Sequence, residues 1–398
     1  MSNKRACTDG ETPQKAKKAK VFNFLAHPRR KIAFQFFYLG WQYDGLVQQP
    51  NTKNTVEHHL MEALLKTHLI DDWSACEFSR CGRTDKGVSA FRQTAALTVR
   101  SCCPGQEGVF WAENSSEELK TAFKGKNEEL QYIKMLNGVL PKTIRVFGWT
   151  PVSSEFNARF NCTRRTYKYA FPKADLDLEK MRDAASRLVG EHDYSNFCQI
   201  DMNEKRLEQS YTRKIYSVTV EEIATSSRDD IYQMVELTVS GSGFLWHMIR
   251  YIVTVLCEIG RRNEEPELIS QMLDLKVFPS RPQYTLASDT PLCLFDCGYE
   301  GIEWKIDEGV LKATISGIQK TWATLQARSR MLENMLGDLT GMMTSSATED
   351  VTKGLHEFVQ DRPISSTYQK FADRKKCESI ESKRLKLAAK NVEKSEIL

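Results

Sequence analysis

Arg80-Cys81-Gly82-Arg83-Thr84-Asp85-Lys86-Gly87-Val88-Ser89 sets one carboxylate among basic side chains on a loop with a glycine toward either end. Arg83 and Lys86 stand within a few residues of Asp85, and nearby positive charge lowers a carboxylate pKa and keeps the group ionised at neutral pH. An ionised carboxylate can attack carbon, so the arrangement suits a nucleophile facing a polyanion. Gly82 and Gly87 free the backbone to turn tightly and to approach a ligand closely. On local chemistry alone an ordinary Asp-Lys-Gly turn is the commoner explanation, and the flanking sequence has to decide.

Working outward, Lys31 to Tyr38 alternates Ile32, Phe34 and Phe36 with other residues, as a half-buried strand does. Asn54 followed by Glu57 has the form of a capping box, and Val56, Leu60 and Leu64 then recur at helical spacing to about Leu69. The Asp85 loop lies between that helix and a strand over Gln93 to Val99, in which Ala95, Leu97 and Val99 alternate. Glu129 to Leu140 reads as helix and Ile144 to Val152 as strand. Beyond Pro151, Arg165-Thr166-Tyr167-Lys168-Tyr169 reads as a strand with Arg165, Tyr167 and Tyr169 on one face. A helix follows from Asp177 to Gly190, then strands near 212–222 and 231–240. Trp246 to Ile259 carries a buried helical face through Ile249, Ile252, Val253 and Leu256, and Arg250 among them demands a partner, because a charge is almost never buried without one. Past residue 300 the chain turns helical. Ile318, Trp322, Leu325, Leu332 and Leu336 form one stripe for packing onto the body or a partner, residues 344–352 read as a linker, and Lys383, Arg384 and Lys386 mark a basic helical tail.

At 398 residues the chain exceeds the usual single-domain size, so the reading is α+β with two similar lobes, residues 31–150 and 151–300, followed by a helical extension over 301–398. No apolar run approaches the roughly 18 residues of a membrane span. The eleven cysteines read as free thiols of a reducing compartment, and with no Cys-x-x-Cys spacing they give little reason to expect a metal. Residues 1–30 have the composition of a disordered basic tail. Residues 1–31 hold nine of the 56 Lys and Arg against two of the 52 Asp and Glu, so the body is slightly acidic and any nucleic-acid surface must be local. The two best clusters are Arg80, Arg83, Lys86 and Arg92, and Arg159, Arg164, Arg165 and Lys168. Lys4-Arg5 with Lys15-x-Lys17-Lys18 has the form of a bipartite import signal, or of an arm that tethers RNA, and the first reading places the protein in the nucleus as well as the cytoplasm.

Arg83-Thr84-Asp85-x-Gly87-Val88 followed by a small residue resembles the catalytic motif of the TruA family of tRNA pseudouridine synthases. The resemblance runs through nearly all of residues 31–300: Tyr43-Asp44-Gly45 with Gln48-Gln49, Leu136 to Pro141, Phe156 to Phe160, Arg165 to Tyr169, Trp246 to Arg250, and Pro291-Leu292-x-Leu294. It implies a pseudouridine synthase fold with a mostly antiparallel central sheet and a cleft between the lobes. It also implies no cofactor, a tRNA partner, and a homodimer as in bacterial relatives. Asp85 would be the nucleophile, Arg250 its charge-assisted partner and Tyr167 the ring that stacks on the base and relays a proton. Leu292 would lie beneath the base, and Arg83 would fill the gap left when the target leaves the stack. Lys86, Arg159, Arg165 and His247 would contact the RNA. Gly190 to Tyr194, Arg281 to Tyr284 and Lys376 to Ser382 are similar to the eukaryotic branch that modifies anticodon-stem positions 38 and 39. Ser89 and Asn157 depart from the histidines of bacterial members, which bears on substrate contacts more than on chemistry.

Overall fold

The computed structural model describes residues 22–396, apart from 202, 224–230, 344–347 and 365–366. The first half contributes β1 (Arg29–Tyr38), α1 (Val56–Lys66), β2 (Ser79–Arg80), β3 (Ser89–Arg100), β4 (Val109–Phe110), α2 (Glu117–Ala122), α3 (Tyr132–Asn137) and β5 (Ile144–Pro151). The second contributes β6 (Cys162–Pro172), α4 (Leu178–Ser186), β7 (Gly190–Asp193), α5 (Glu204–Glu208), β8 (Thr212–Glu222), β9 (Met234–Gly241), α6 (Met248–Gly260), α7 (Glu267–Leu273) and β10 (Leu292–Tyr299). Three helices close the chain: α8 (Glu308–Gly341), α9 (Thr348–Gln360) and α10 (Ile380–Glu396).

All ten strands join one sheet, in the order β4-β1-β3-β10-β6-β9-β8-β7, with β5 also on β1 and β2 also on β3. The protein is therefore α+β with a mixed, largely antiparallel sheet. Only the β3–β10 pair, Cys293 opposite Ser89 and Leu294 opposite Ala90, is parallel among the described residues. This pair is also the seam between two cores. On one side Phe34, Phe36, Leu97 and Val146 pack with Leu60 and Leu64 of α1. On the other, Phe171, Leu237 and Val239 pack with Met181 of α4 and Ile252, Val255 and Leu256 of α6. Tyr167, on β6, touches both.

Several elements depart from the pattern expected of them. β1 is buried on both faces from Ile32 to Tyr38, because Ile32, Phe34 and Phe36 pack with α1 while Ala33 on the other face packs with Phe156 and Ala158, so its alternation does not mark a wet side. Thr55 rather than Asn54 caps α1, accepting from the His58 N–H, and Glu57 is buried, accepting from Gln48 N–H and pairing with Arg80. His58 and His59 are half-buried, His58 paired with Glu62 and His59 edge-on to Tyr43. The 129–140 stretch is helical only from Tyr132 to Asn137. Residues 348–352 open α9 instead of continuing a linker. Residues 1–21 lie outside the described residues, so the basic-tail reading is not addressed there.

α6 is buried along its whole length. Its three polar residues, Arg250, Thr254 and Glu258, recur every four positions and so share one line on the helix. Arg250 Nε donates to the Ala287 carbonyl at 2.6 Å, Thr254 Oγ1 to the Thr285 carbonyl at 2.9 Å, and Glu258 accepts from Asn263 and Gln360. The 285–287 segment, Asn263 and Gln360 thus give each of these buried polar groups the partner that burial requires.

Candidate active site

The Asp85 loop is sewn to the segment after β1. Leu46 N–H donates to Thr84 O at 3.2 Å, Gly87 N–H to Tyr43 O at 3.2 Å and Gly40 N–H to Ser89 Oγ at 2.9 Å. Tyr38 and Thr84 hydroxyls share a buried bond of 2.6 Å. Gly87 has φ +79°, a backbone that favours glycine, and a Cβ there would stand 2.7 Å from a carboxylate oxygen of Asp289, which would have to shift. Gly82 is different. It does not take a left-handed conformation, and the second such glycine is Gly45, φ +104°, which packs against the Thr84 carbonyl.

Asp85 is half-buried, and both its oxygens are held. Trp246 Nε1 donates to Oδ1 at 3.2 Å, and His247 Nε2 lies 3.3 Å from Oδ2. Burial is the largest influence on this carboxyl and would raise its pKa. The His247 ring, the Trp246 indole N–H and the charge of Arg250 outweigh it and leave the group below the ordinary aspartate value. His247 takes a left-handed backbone, φ 63°, at the mouth of α6, and its Nδ1 is buried without a hydrogen-bond partner.

The expected pair between Arg250 and Asp85 is therefore corrected. The guanidinium is engaged with the Ala287 carbonyl and acts on Asp85 through its field, while Trp246 and His247 make the contacts. Trp246 had been read only as part of a motif. Its place next to His247 at the start of a buried helix was the signal.

Tyr167 stands edge-on to Phe244, with centroids 5.2 Å apart, and burial pushes its hydroxyl far above the usual phenol range. It can donate a proton but not accept one as phenolate. Leu292, 6 % exposed, opens β10 opposite Tyr169 and beside Ser89, so it lies in the wall of the seam. Asp85, Tyr167, Leu292, His247 and Arg250 are thus brought to one end of the β3–β10–β6 joint by four separate parts of the chain.

The cations divide. Arg165 does not face outward as a substrate contact: its guanidinium donates to the carbonyls of Ser242, Cys81 and Arg159 at 2.9, 3.0 and 2.8 Å, bracing the backbone around the site. Arg80 pairs with Glu57, Arg92 and Arg164 share Asp296, and Lys168 pairs with Glu236. Lys86 turns to Asp44 at 3.2 Å instead of to Asp85, with a side chain 77 % exposed. Such surface pairs are worth at most about 1 kcal/mol, so a phosphate can replace the partner. Arg83 and Arg159 are exposed and make no ion pair among the described residues. Arg159 lies over the ring of Phe160, which is 79 % exposed.

An ionised carboxylate, a protonated tyrosine and two unpaired arginines at the joint of one mixed sheet define a site for nucleophilic and acid–base chemistry on a polyanionic substrate. The family model described as tRNA pseudouridine synthase matches residues 184–300. A probable tRNA pseudouridine synthase of Caenorhabditis elegans, tag-124, is 69 % identical over 98 % of this chain and 97 % of its own. The tRNA pseudouridine(38/39) synthases of mouse and of Saccharomyces cerevisiae are 38 % and 34 % identical, over 93 % and 96 % of this chain and 78 % and 84 % of theirs. The chain belongs to the tRNA pseudouridine synthase family.

Proposed function

We propose that this protein isomerises uridine to pseudouridine at positions 38 and 39 of the tRNA anticodon arm, with Asp85 as the nucleophile. The observation that carries the chemistry is the grip on Asp85, a carboxylate held ionised by Trp246 and His247 although half-buried. The target positions follow the names of the mouse and yeast relatives.

The reaction breaks the N1–C1′ bond, turns the uracil and joins C5 to C1′; the hydrogen on C5 is lost and N1 gains one. Atoms and electrons balance without an outside reagent. Attack on C1′, attack on C6 and removal of the C2′ proton all begin from an ionised carboxylate, so each suits Asp85. Arg250 keeps it ionised from a distance, and His247 and Trp246 release it when the base enters. Tyr167 stacks on the base and donates a proton, with Leu292 beneath. Arg83 fills the gap left in the stack, and Lys86 and Arg159 meet phosphates.

The two cores support reading residues 31–150 and 151–300 as lobes with the base entering a cleft at their seam, and 301–398 as an extension. A second copy of the chain would complete a tRNA-binding surface by pairing along α8, whose apolar residues stand exposed. Lys4-Arg5 with Lys15 to Lys18 would direct the protein to the nucleus, which deletion of residues 1–21 from a fluorescent fusion tests directly.

The deciding experiment treats unmodified tRNA transcripts with wild type and Asp85→Ala and maps pseudouridine. Product confined to 38 and 39, absent from a variant that still binds tRNA, is expected, because phosphate contacts supply most affinity. Tight binding with no product from the wild type would return a binding protein, and product elsewhere would move the target.

A further inference from the structure

Cys81, Cys162 and Cys297 are far apart in sequence, yet their Sγ atoms all lie within 4.8 Å of one another. Cys81 sits between β2 and the Asp85 loop, Cys162 opens β6 and Cys297 lies in β10. They are 1, 8 and 3 % exposed. We propose that this trithiol nest binds one zinc ion, with the three thiolates as its protein ligands and a water in the fourth position.

Spacing fits first. Sulfurs about 2.3 Å from a common zinc stand roughly 3.8–4.0 Å apart, so sub-ångström movements suffice to close the site. Charge fits next. Three thiolates around a dication leave one net negative charge, and the Arg165 guanidinium, donating to the Cys81 carbonyl at 3.0 Å, lies beside all three to neutralise it. A cuprous ion would leave the buried site one charge short of neutral.

A second convergence, Cys102, Cys103 and Glu129, shows what is missing elsewhere. There Glu129 is consumed by Arg30, the Ser101 hydroxyl and two backbone N–H groups, and no carboxylate oxygen is left for an ion. At the trithiol nest the Cys162 thiol donates to the Arg164 carbonyl at 3.2 Å, a bond the thiolate would give up, and the Tyr299 hydroxyl is engaged with the Ala158 carbonyl at 2.5 Å. Zinc bound here would staple the root of the Asp85 loop to β6 and β10, and because the site is enclosed it would load as the chain folds. The inference stands apart from the target uridine and from the role of Asp85.

The full-length protein, purified in reductant without added metal, is assayed for zinc and copper by mass spectrometry. X-ray absorption on the same sample counts sulfur neighbours. About one zinc per chain with three sulfurs is expected, falling to under about a tenth in Cys162→Ser and Cys297→Ser. Cys76→Ser should retain it, since a serine hydroxyl can keep the bond that Cys76 makes to the Trp73 carbonyl. Chelator treatment should lower the melting temperature of the wild type and of Cys76→Ser, and leave that of Cys162→Ser and Cys297→Ser unchanged. The sulfur count on wild type decides the matter even if a variant fails to fold. Protein refolded in the presence of cadmium that develops no thiolate charge-transfer band, a disulfide among the three cysteines, copper in place of zinc, or zinc retained in Cys162→Ser would each overturn the assignment.

Discussion

Asp85 works by contrast with its surroundings. Burial alone would favour the neutral acid, and two neighbours with a distant guanidinium reverse that preference. The acid limb of kcat/KM, which reports the free enzyme, should therefore lie below the ordinary aspartate range. Replacing His247 with Ala removes the largest opposing influence while burial persists, so the limb should move to higher pH and the loss of activity should deepen as pH falls. A limb that stays in place would mean that His247 does not hold Asp85 ionised. The sign for stability is the same. A carboxyl whose folded pKa is depressed adds stability above its unfolded pKa and loses it as pH falls through the folded one, and a side chain 37 % exposed keeps that contribution small. Gly87 belongs to this scale too, because Gly87→Ala would place a methyl against Asp289 at a φ that alanine resists.

At the scale of the element, α8 is the outlier. It spans 34 residues, about 50 Å, and only Thr314 along it is buried. Ile315, Ile318, Trp322, Leu325, Leu332, Leu336 and Leu339 are each at least 40 % exposed and recur at steps of three and four, with Ser329 in the apolar register between Leu325 and Leu332, the pattern of a coiled-coil seam. The sequence stripe allowed packing onto the body or onto a partner, and the first alternative is excluded by this exposure. Trp322→Glu with Leu325→Glu should halve the mass seen by light scattering and leave the melting temperature of the body almost unchanged. A wild type that is already a monomer would end the pairing reading. α1 teaches a smaller lesson. Two acceptable caps, Asn54 and Thr55, were adjacent in sequence, and burial of Glu57 against Arg80 chose between them.

At the scale of the whole molecule, the end of the chain is not an appendage. Val359 of α9 and Phe371 beyond it belong to the second core, His356 bonds to Asp175 at 2.5 Å, and Gln360 reaches Glu258 at the foot of α6. Lys383 and Arg384 of α10, read as part of a basic tail, donate to the carbonyls of Ile200 and Leu207. A chain ending after α8 should expose this core and lose on the order of 5 kcal/mol from Val359 and Phe371 alone. The loss is read as a lower melting temperature with dye binding to exposed apolar surface. Unchanged melting would show the strap to be dispensable. Because α6 also positions Trp246, His247 and Arg250, such a truncation should weaken catalysis even where the protein still folds.

The sequence by itself determined the elements and the chemistry that short-range order can carry. The period of two in Ala95, Leu97 and Val99, the apolar face of α6 and the motif around Asp85 were all legible, since each depends on neighbours a few residues away. Tertiary structure decided what depends on long-range approach. It brought Trp246 and His247 to Asp85 and left Arg250 acting at a distance. It turned Arg165 from a substrate contact into a brace for three carbonyls, and it gathered three cysteines that no local spacing relates. The parallel contact of β3 with β10 is the physical reason. It joins residues some two hundred positions apart in one hydrogen-bonded register, and side chains flanking that joint acquire partners that no stretch of sequence contains.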